Sequence, residues 1–220
     1  VDTASLLGDL IRAAAGGPVR VLERIEREAA PLGLAARRTQ AEPAALLLAR
    51  GAAPRLALSG HVDVVPAGEG WGARDPFGGA IDAGRVWGRG ACDMLGSVAC
   101  FLEAARRARA SPCAILLTTD EETGMRAAEN ALAEGLLDGV GGVVVGEPTS
   151  LHVGIAEKGV LWLRVEATGA NAHGSMPHLG DNAVARVVRV AARLQRYQPP
   201  GEHPRLGRAT ASLDRIGGGE

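Results

Sequence analysis

Four short segments carry side chains that could hold a cation. Ser59-Gly60-His61-Val62-Asp63 sets a His and an Asp two residues apart, and in extended chain such positions share a side. A carboxylate placed there can accept a hydrogen bond from one imidazole nitrogen while the other binds a metal. Gly88-Arg89-Gly90-Ala91-Cys92-Asp93 delivers Asp93 through a glycine-rich turn, and the two oxygens of one carboxylate can bridge two ions. In Thr119-Asp120-Glu121-Glu122 three acids follow an apolar run and repel one another unless a cation is near. One of them could bind it while its neighbour stays free as a general base. Gly146-Glu147-Pro148 supplies a further acid.

Each segment alone has an ordinary alternative: a His beside an Asp in a loop, a helix cap at Asp93, a solvated acidic turn, a turn before Pro148. Gly88-Arg89-Gly90 is not a dinucleotide fingerprint, because the third glycine and a preceding long parallel strand are missing. Taken together, one His and several carboxylates suit zinc or another divalent transition ion.

The elements that must position these groups follow from hydrophobic spacing. Helical periodicity predicts helices over residues 3–15 and 18–32, with Pro18 in the first turn of the second and Gly33 at its end. Short β-like runs follow at 34–38, 45–50 and 55–59, the last leading directly to His61. Residues 66–79 read as an irregular Gly/Pro loop and 81–87 as a hairpin turning at Ala83-Gly84. A helix over 95–109, a buried strand over 113–119, a helix over 125–134 and a strand over 142–145 complete this part. Such alternation predicts an α/β domain with a mostly parallel sheet, and ligand sites in such sheets gather at the carboxyl ends of strands. His61, Glu121, Glu122 and Glu147 all fall there. Beyond residue 160 the spacing predicts a strand over 160–167, a helix over 182–197 and a strand over 210–216. The expected division is a catalytic α/β domain at 1–158 and the start of a smaller α+β domain at 159–220.

The bulk numbers exclude several classes. Apolar residues make up 46% of the 220 and aromatics 3%, so Ala, Val and Leu must fill the core. Lys plus Arg is 24 against 25 for Asp plus Glu, and this balance argues against a nucleic-acid binder. No apolar stretch approaches the ~20 residues of a membrane-spanning helix. Val1-Asp2-Thr3 has neither an initiator Met nor the start of a signal peptide. Three cysteines, Cys92, Cys100 and Cys113, make an odd count; no disulfide framework and a cytoplasmic setting are expected.

In this order and at these spacings, the four segments resemble the zinc amidohydrolase family of acetylornithine deacetylase, succinyl-diaminopimelate desuccinylase, aminoacylase and glutamate carboxypeptidase. The likeness runs from about Leu6 to the end, and residues 146–159 with 170–182 look nearest to the deacetylase–desuccinylase branch. It implies a zinc-peptidase α/β fold with a lid domain through which the protein dimerises. It implies two Zn2+ ions, with Co2+ as a substitute, and a small-molecule N-acyl amino acid as substrate, its amide bond cut by water that the two ions activate. No nucleic acid and no membrane enter as partners.

Residue by residue, the resemblance implies that His61 and Glu147 bind one zinc, Asp93 bridges both, and Glu122 binds the second. Asp63 orients His61, Glu121 is the general base, and His173 in the lid steadies the developing oxyanion. Two departures stand out. Leu95 occupies a position where the family commonly has Lys, and the second zinc's last ligand, a His from a C-terminal segment, has no counterpart here. His178 and His203 fall in lid-like segments and His152 at a surface turn. The chain is therefore expected to be part of a longer protein, with the second zinc site incomplete. Competing expectations are a dipeptidase or carboxypeptidase with the same site, and a non-catalytic fragment.

Overall fold

The computed structural model describes residues 2–51 and 54–219; of the expected domains' outermost residues, Val1 and Glu220 lie outside the described ones. Helix α1 (Thr3–Ala14) begins at Asp2, whose carboxylate accepts from the amides of Ala4 and Ser5, satisfying donors the first turn leaves open. Helix α2 (Pro18–Ala29) opens on a proline, whose missing N–H costs nothing there. The expected end of α2 is a separate 3-10 turn, Ala30–Leu32, closed by Gly33 in left-handed conformation. Leu6, Leu10, Ile11 and Ala14 on α1, with Val21, Leu22, Ile25 and Ala29 on α2, form one buried stripe.

Strands β1 (Ala35–Arg38), β2 (Ala45–Arg50) and β3 (Leu56–His61) follow, then a small hairpin of β4 (Ala80–Asp82) and β5 (Arg85–Trp87). Next come α3 (Leu95–Arg107), β6 (Cys113–Thr118), α4 (Arg126–Ala133) and β7 (Gly142–Val145). The main sheet has the order β1-β2-β6-β3-β7. β3 runs parallel to both β6 and β7, while β1–β2 and β2–β6 are antiparallel. The α/β architecture is thus as expected, with the parallel pairing confined to three strands. The reason is the short connection 39–44: without a crossover helix, β2 can only return antiparallel to β1.

Strand alternation divides the core into two layers. Leu46, Leu48, Ile115 and Leu117 face α1, α2 and α3, whereas Ala45, Leu47, Ala114 and Leu116 face Ala127 and Ala131 of α4. Helices on both faces lock the register of β6, since a slip of one residue would exchange the two layers.

The chain divides into two compact units, Val1–Leu151 and His152–Glu220. In the second, helix α5 (Ala183–Leu194) is capped by Asn182, whose side chain accepts from the Ala185 amide. Two-residue strands β8 (Glu202–His203) and β9 (Gly207–Arg208) pair antiparallel, and Ala170 bridges to Asp181. The strands expected at 160–167 and 210–216 do not form among the described residues. A helix closes its hydrogen bonds within itself, but a strand needs a neighbour, and among the described residues no strand lies alongside either segment. Leu161 and Leu163 are accordingly 79% and 76% exposed. No helix of the described residues is long and apolar enough to cross a membrane.

Candidate metal centre

The carboxyl ends of β3, β6 and β7 lie side by side, because the three strands are parallel neighbours. His61 is the last residue of β3 and stands opposite Thr118, the last residue of β6. The chain leaving β6 reaches Glu121 and Glu122 within one short turn. The chain leaving β7 reaches Glu147, after the Gly146 amide donates to the Ser59 carbonyl. Asp93 arrives separately, from the turn between β5 and α3.

These groups converge on one atom. His61 Nε2 lies 3.0 Å from an Asp93 oxygen, 3.6 Å from one of Glu147 and 3.9 Å from one of Glu121. His61, Asp93 and Glu122 offer ligand atoms all within 4.8 Å of one another. His61 is buried, Asp93 exposed and Glu122 half-buried, so the cluster opens to solvent on its carboxylate side.

The imidazole has a defined orientation. Its Nδ1 sits 2.9 Å from the backbone carbonyl of Asp63. A carbonyl can only accept, so Nδ1 carries a proton, while Nε2, 3.0 Å from an Asp93 oxygen, donates to that carboxylate and would give up its proton to offer a lone pair to a cation. The Asp63 carboxylate is further from Nδ1, at 3.6 Å. Its two oxygens accept instead from the amides of Glu121 and Glu122, at 3.1 and 2.9 Å. Asp63 therefore grips the acidic turn and fixes His61 chiefly through its main chain, a difference from the side-chain contact that strand alternation suggests.

Charge accounts for the titration. Burial pushes the His61 pKa down, but its hydrogen bonds to Asp63 and the negative charges of Asp63 and Glu147 raise it to about 9. Burial and the nearby Asp93 and Glu121 raise Glu122, against the pull of His61. Glu147 is raised by burial, with Asp93 and Glu121 adding to it and His61 opposing. Asp63 is lowered: burial works against this, but His61 and the two amides outweigh it. One buried imidazole faced by several carboxylates leaves an excess of negative charge that a divalent cation would neutralise. The imidazole-plus-carboxylate donor set is one that zinc accepts, so the residues fit the ion.

Asp120, the first acid of the run, has a different job. Its carboxylate accepts from the amides of Arg126 and Ala127 and so caps α4. Sequence inspection does not separate it from its neighbours, although the helix start six residues later was an available signal. Met94 is another residue the spacing does not single out. It is fully buried, and its sulfur accepts the His61 amide hydrogen at 3.3 Å. Gly60 makes room for it, since a Cβ there would lie 2.6 Å from the Met94 methyl carbon. Leu95, where a Lys was expected, is fully buried in the core beside Val98 and Leu102.

His173 belongs to the second unit, where its Nδ1 lies 2.8 Å from the Ser175 hydroxyl in an exposed turn. His178 falls in a 3-10 turn of that unit and His203 on β8. Cys92 and Cys100 are exposed, Cys113 is half-buried, and all three are free thiols.

Residues 57–214 match the profile described as Peptidase family M20/M25/M40. A probable succinyl-diaminopimelate desuccinylase of Staphylococcus epidermidis is 39% identical over 163 residues, covering 70% of this chain and 40% of that protein. A succinyl-diaminopimelate desuccinylase of Gluconobacter oxydans is 40% identical over 156 residues, with 64% and 40% covered. The chain thus spans about 40% of the length of these curated relatives. In fold it resembles the M20 family metallo-carboxypeptidase Sso-CP2 from Sulfolobus solfataricus, with a TM-score of 0.57 at 18% identity over 66% of this chain and 37% of that one. Human carnosine dipeptidase 1 gives a TM-score of 0.51 at 22% identity, over 65% and 37%.

Proposed function

We propose that this chain, which belongs to peptidase family M20/M25/M40, forms the metal-binding part of a di-zinc amidohydrolase that cleaves N-acyl amino acids. The observation that carries the reading is the convergence of Asp93, Glu147 and Glu121 on His61 Nε2 within 3.9 Å, with Glu122 in the same cluster. The names of the curated relatives favour an N-succinyl amino acid as substrate.

In this reading His61, Asp93 and Glu147 would hold the first ion, and Asp93 and Glu122 would hold the second. Zinc bound here would acidify a water and polarise the amide carbonyl. Asp63 keeps the acidic turn at its distance from His61 through the two amides it accepts. Glu121 is the one carboxylate near His61 Nε2 left without a ligand role. It takes a proton from the attacking water and passes it to the leaving amine. His173 would steady the oxyanion from the lid that begins near residue 159, the segment through which the protein would dimerise.

Two measurements test this. Chelator-stripped chain titrated with zinc should bind one ion tightly, or two if the second site is completed by a partner chain; no binding by the stripped chain would sink the metal assignment. Assay against N-succinyl amino acids, N-acetyl amino acids and dipeptides should show the first preferred. In the active protein, Glu121→Gln should lower turnover about 10²- to 10⁴-fold while zinc stoichiometry stays unchanged. Unchanged turnover would remove Glu121 as the base.

A further inference from the structure

The cluster is braced unevenly. Glu121 and Glu122 are tied to the β3 segment through Asp63, and Glu147 through the β3–β7 ladder. Asp93 has neither tie. It stands on the turn 88–94, its side chain is 54% exposed, and its direct contact with the others is the one to His61 Nε2. A cation would take over that contact, so something else must hold the turn in place. The Met94 sulfur is one weak anchor.

Arg89 supplies a stronger one. Its amide donates to the Pro76 carbonyl at 2.7 Å, and its guanidinium donates to the Ala67 carbonyl at 2.8 Å. Ala67 lies four residues beyond Asp63. The indole of Trp71 donates to the same carbonyl at 2.8 Å and lies 5.5 Å from the guanidinium carbon, a cation–π distance. The Arg89 side chain thereby joins the turn carrying Asp93 to the start of the loop 66–79, into which the chain runs directly from His61 and Asp63, and its main chain joins the same turn to the far end of that loop at Pro76. Below it Gly90, at φ +81, passes Val64 so closely that a Cβ would lie 2.7 Å from it. Arg89 Nε is buried with no hydrogen-bond partner among the described residues, an arrangement that weakens a fold.

We infer that Arg89 is a positioning residue for the metal site: through the Ala67 carbonyl it sets the spacing between the His61–Asp63 segment and the turn that carries Asp93. The inference rests on the metal-site reading above. It implies that the geometry of ion binding, and not only the folding of the chain, depends on the guanidinium.

Cobalt serves as the probe, because its visible absorption reports coordination geometry without any turnover. Affinity by chelator competition, the cobalt spectrum and the thermal midpoint of metal-free protein are compared for the full chain, Arg89→Met and Arg89→Lys. Arg89→Met should lose about tenfold in cobalt affinity with an altered spectrum, and Arg89→Lys, which can still reach the carbonyl, should return to within about threefold of the parent. Parent affinity and spectrum in Arg89→Met would overturn the inference, whatever happens to the thermal midpoint. Should Arg89→Met fail to fold, Trp71→Phe decides. It keeps the ring but removes the second donor on Ala67; a lower affinity with a changed spectrum supports the brace, and parent behaviour overturns it. A parent chain that binds no cobalt would remove the metal-site reading and the inference with it.

Discussion

β2 (Ala45–Arg50) and the segment 160–167 are both short apolar runs, yet they end differently. In β2 the backbone is paired on both sides, by β1 and β6, and Leu46 and Leu48 are fully buried. In 160–167 no ladder forms, and Val160, Leu161, Trp162 and Leu163 are all more than half exposed. The contrast teaches that an apolar run specifies a strand only together with a partner strand. Burial of β2 requires β6, which arrives some 65 positions later in the chain. α5 forms in the same unit as 160–167 because a helix needs no distant partner.

Hydrogen exchange should show the largest difference between the two regions. Amides of β6 and β3 are expected to exchange at least about a thousandfold more slowly than those of 160–167. Comparable protection in both, read by mass spectrometry of peptides, would break the contrast.

Paired truncations sharpen it. Leu117→Ala removes a fully buried side chain between helices and sheet and should cost about 2–5 kcal/mol in urea unfolding. Leu161→Ala should change stability by no more than about 0.5 kcal/mol. Equal losses would mean that 160–167 packs in solution.

Ion pairs give the smallest effect. Arg24 reaches from α2 to Asp9 on α1 at 2.8 Å, with Arg24 only 18% exposed, whereas Arg164 and Glu166 pair at 86% and 68% exposure. The hydrogen bond from Arg24 lowers the Asp9 pKa below its ordinary 3.8, with burial opposing. The folded state therefore binds that proton less readily than the unfolded one. Its stabilisation is fully present above the unfolded value and is lost as pH falls through the folded value. Asp9→Asn should cost a few tenths of a kcal/mol at neutral pH, about what part-exposed pairs contribute, and nothing in strong acid. Glu166→Gln should leave unfolding curves unchanged at both pH values.

How much was legible in the sequence follows the same division between local and distant causes. The helix starts at Thr3 and next to Asn182, and the strand end before Glu147, are written in adjacent residues and appear where the spacing puts them, while β3 runs two residues past its expected end to include His61. The gathering of His61, Glu121, Glu122 and Glu147 could be anticipated too, because parallel neighbours bring their carboxyl ends to one edge. What escaped detection depends on where a side chain finds its partner. Asp63 reaches two amides 58 and 59 positions away rather than the ring two positions back. Arg89 finds a carbonyl 22 positions before it. The antiparallel return of β2 follows from the short connection 39–44, a local signal that the alternation of strands and helices downstream masks.

The acidic run at 120–122 also bears on how tolerant this chain is to rearrangement. Its three carboxylates are chemically near-identical, yet one closes the first turn of α4, the next stands near the imidazole, and the third joins the ligand cluster. Order, not composition, carries the information. Exchanging Asp120 with Glu122 would leave mass, charge and amino-acid content untouched, yet shorten the arm entering the cluster and lengthen the one that meets the helix. Shuffled sequences of equal composition are therefore not neutral neighbours of this one, and the alphabet of the site is positional.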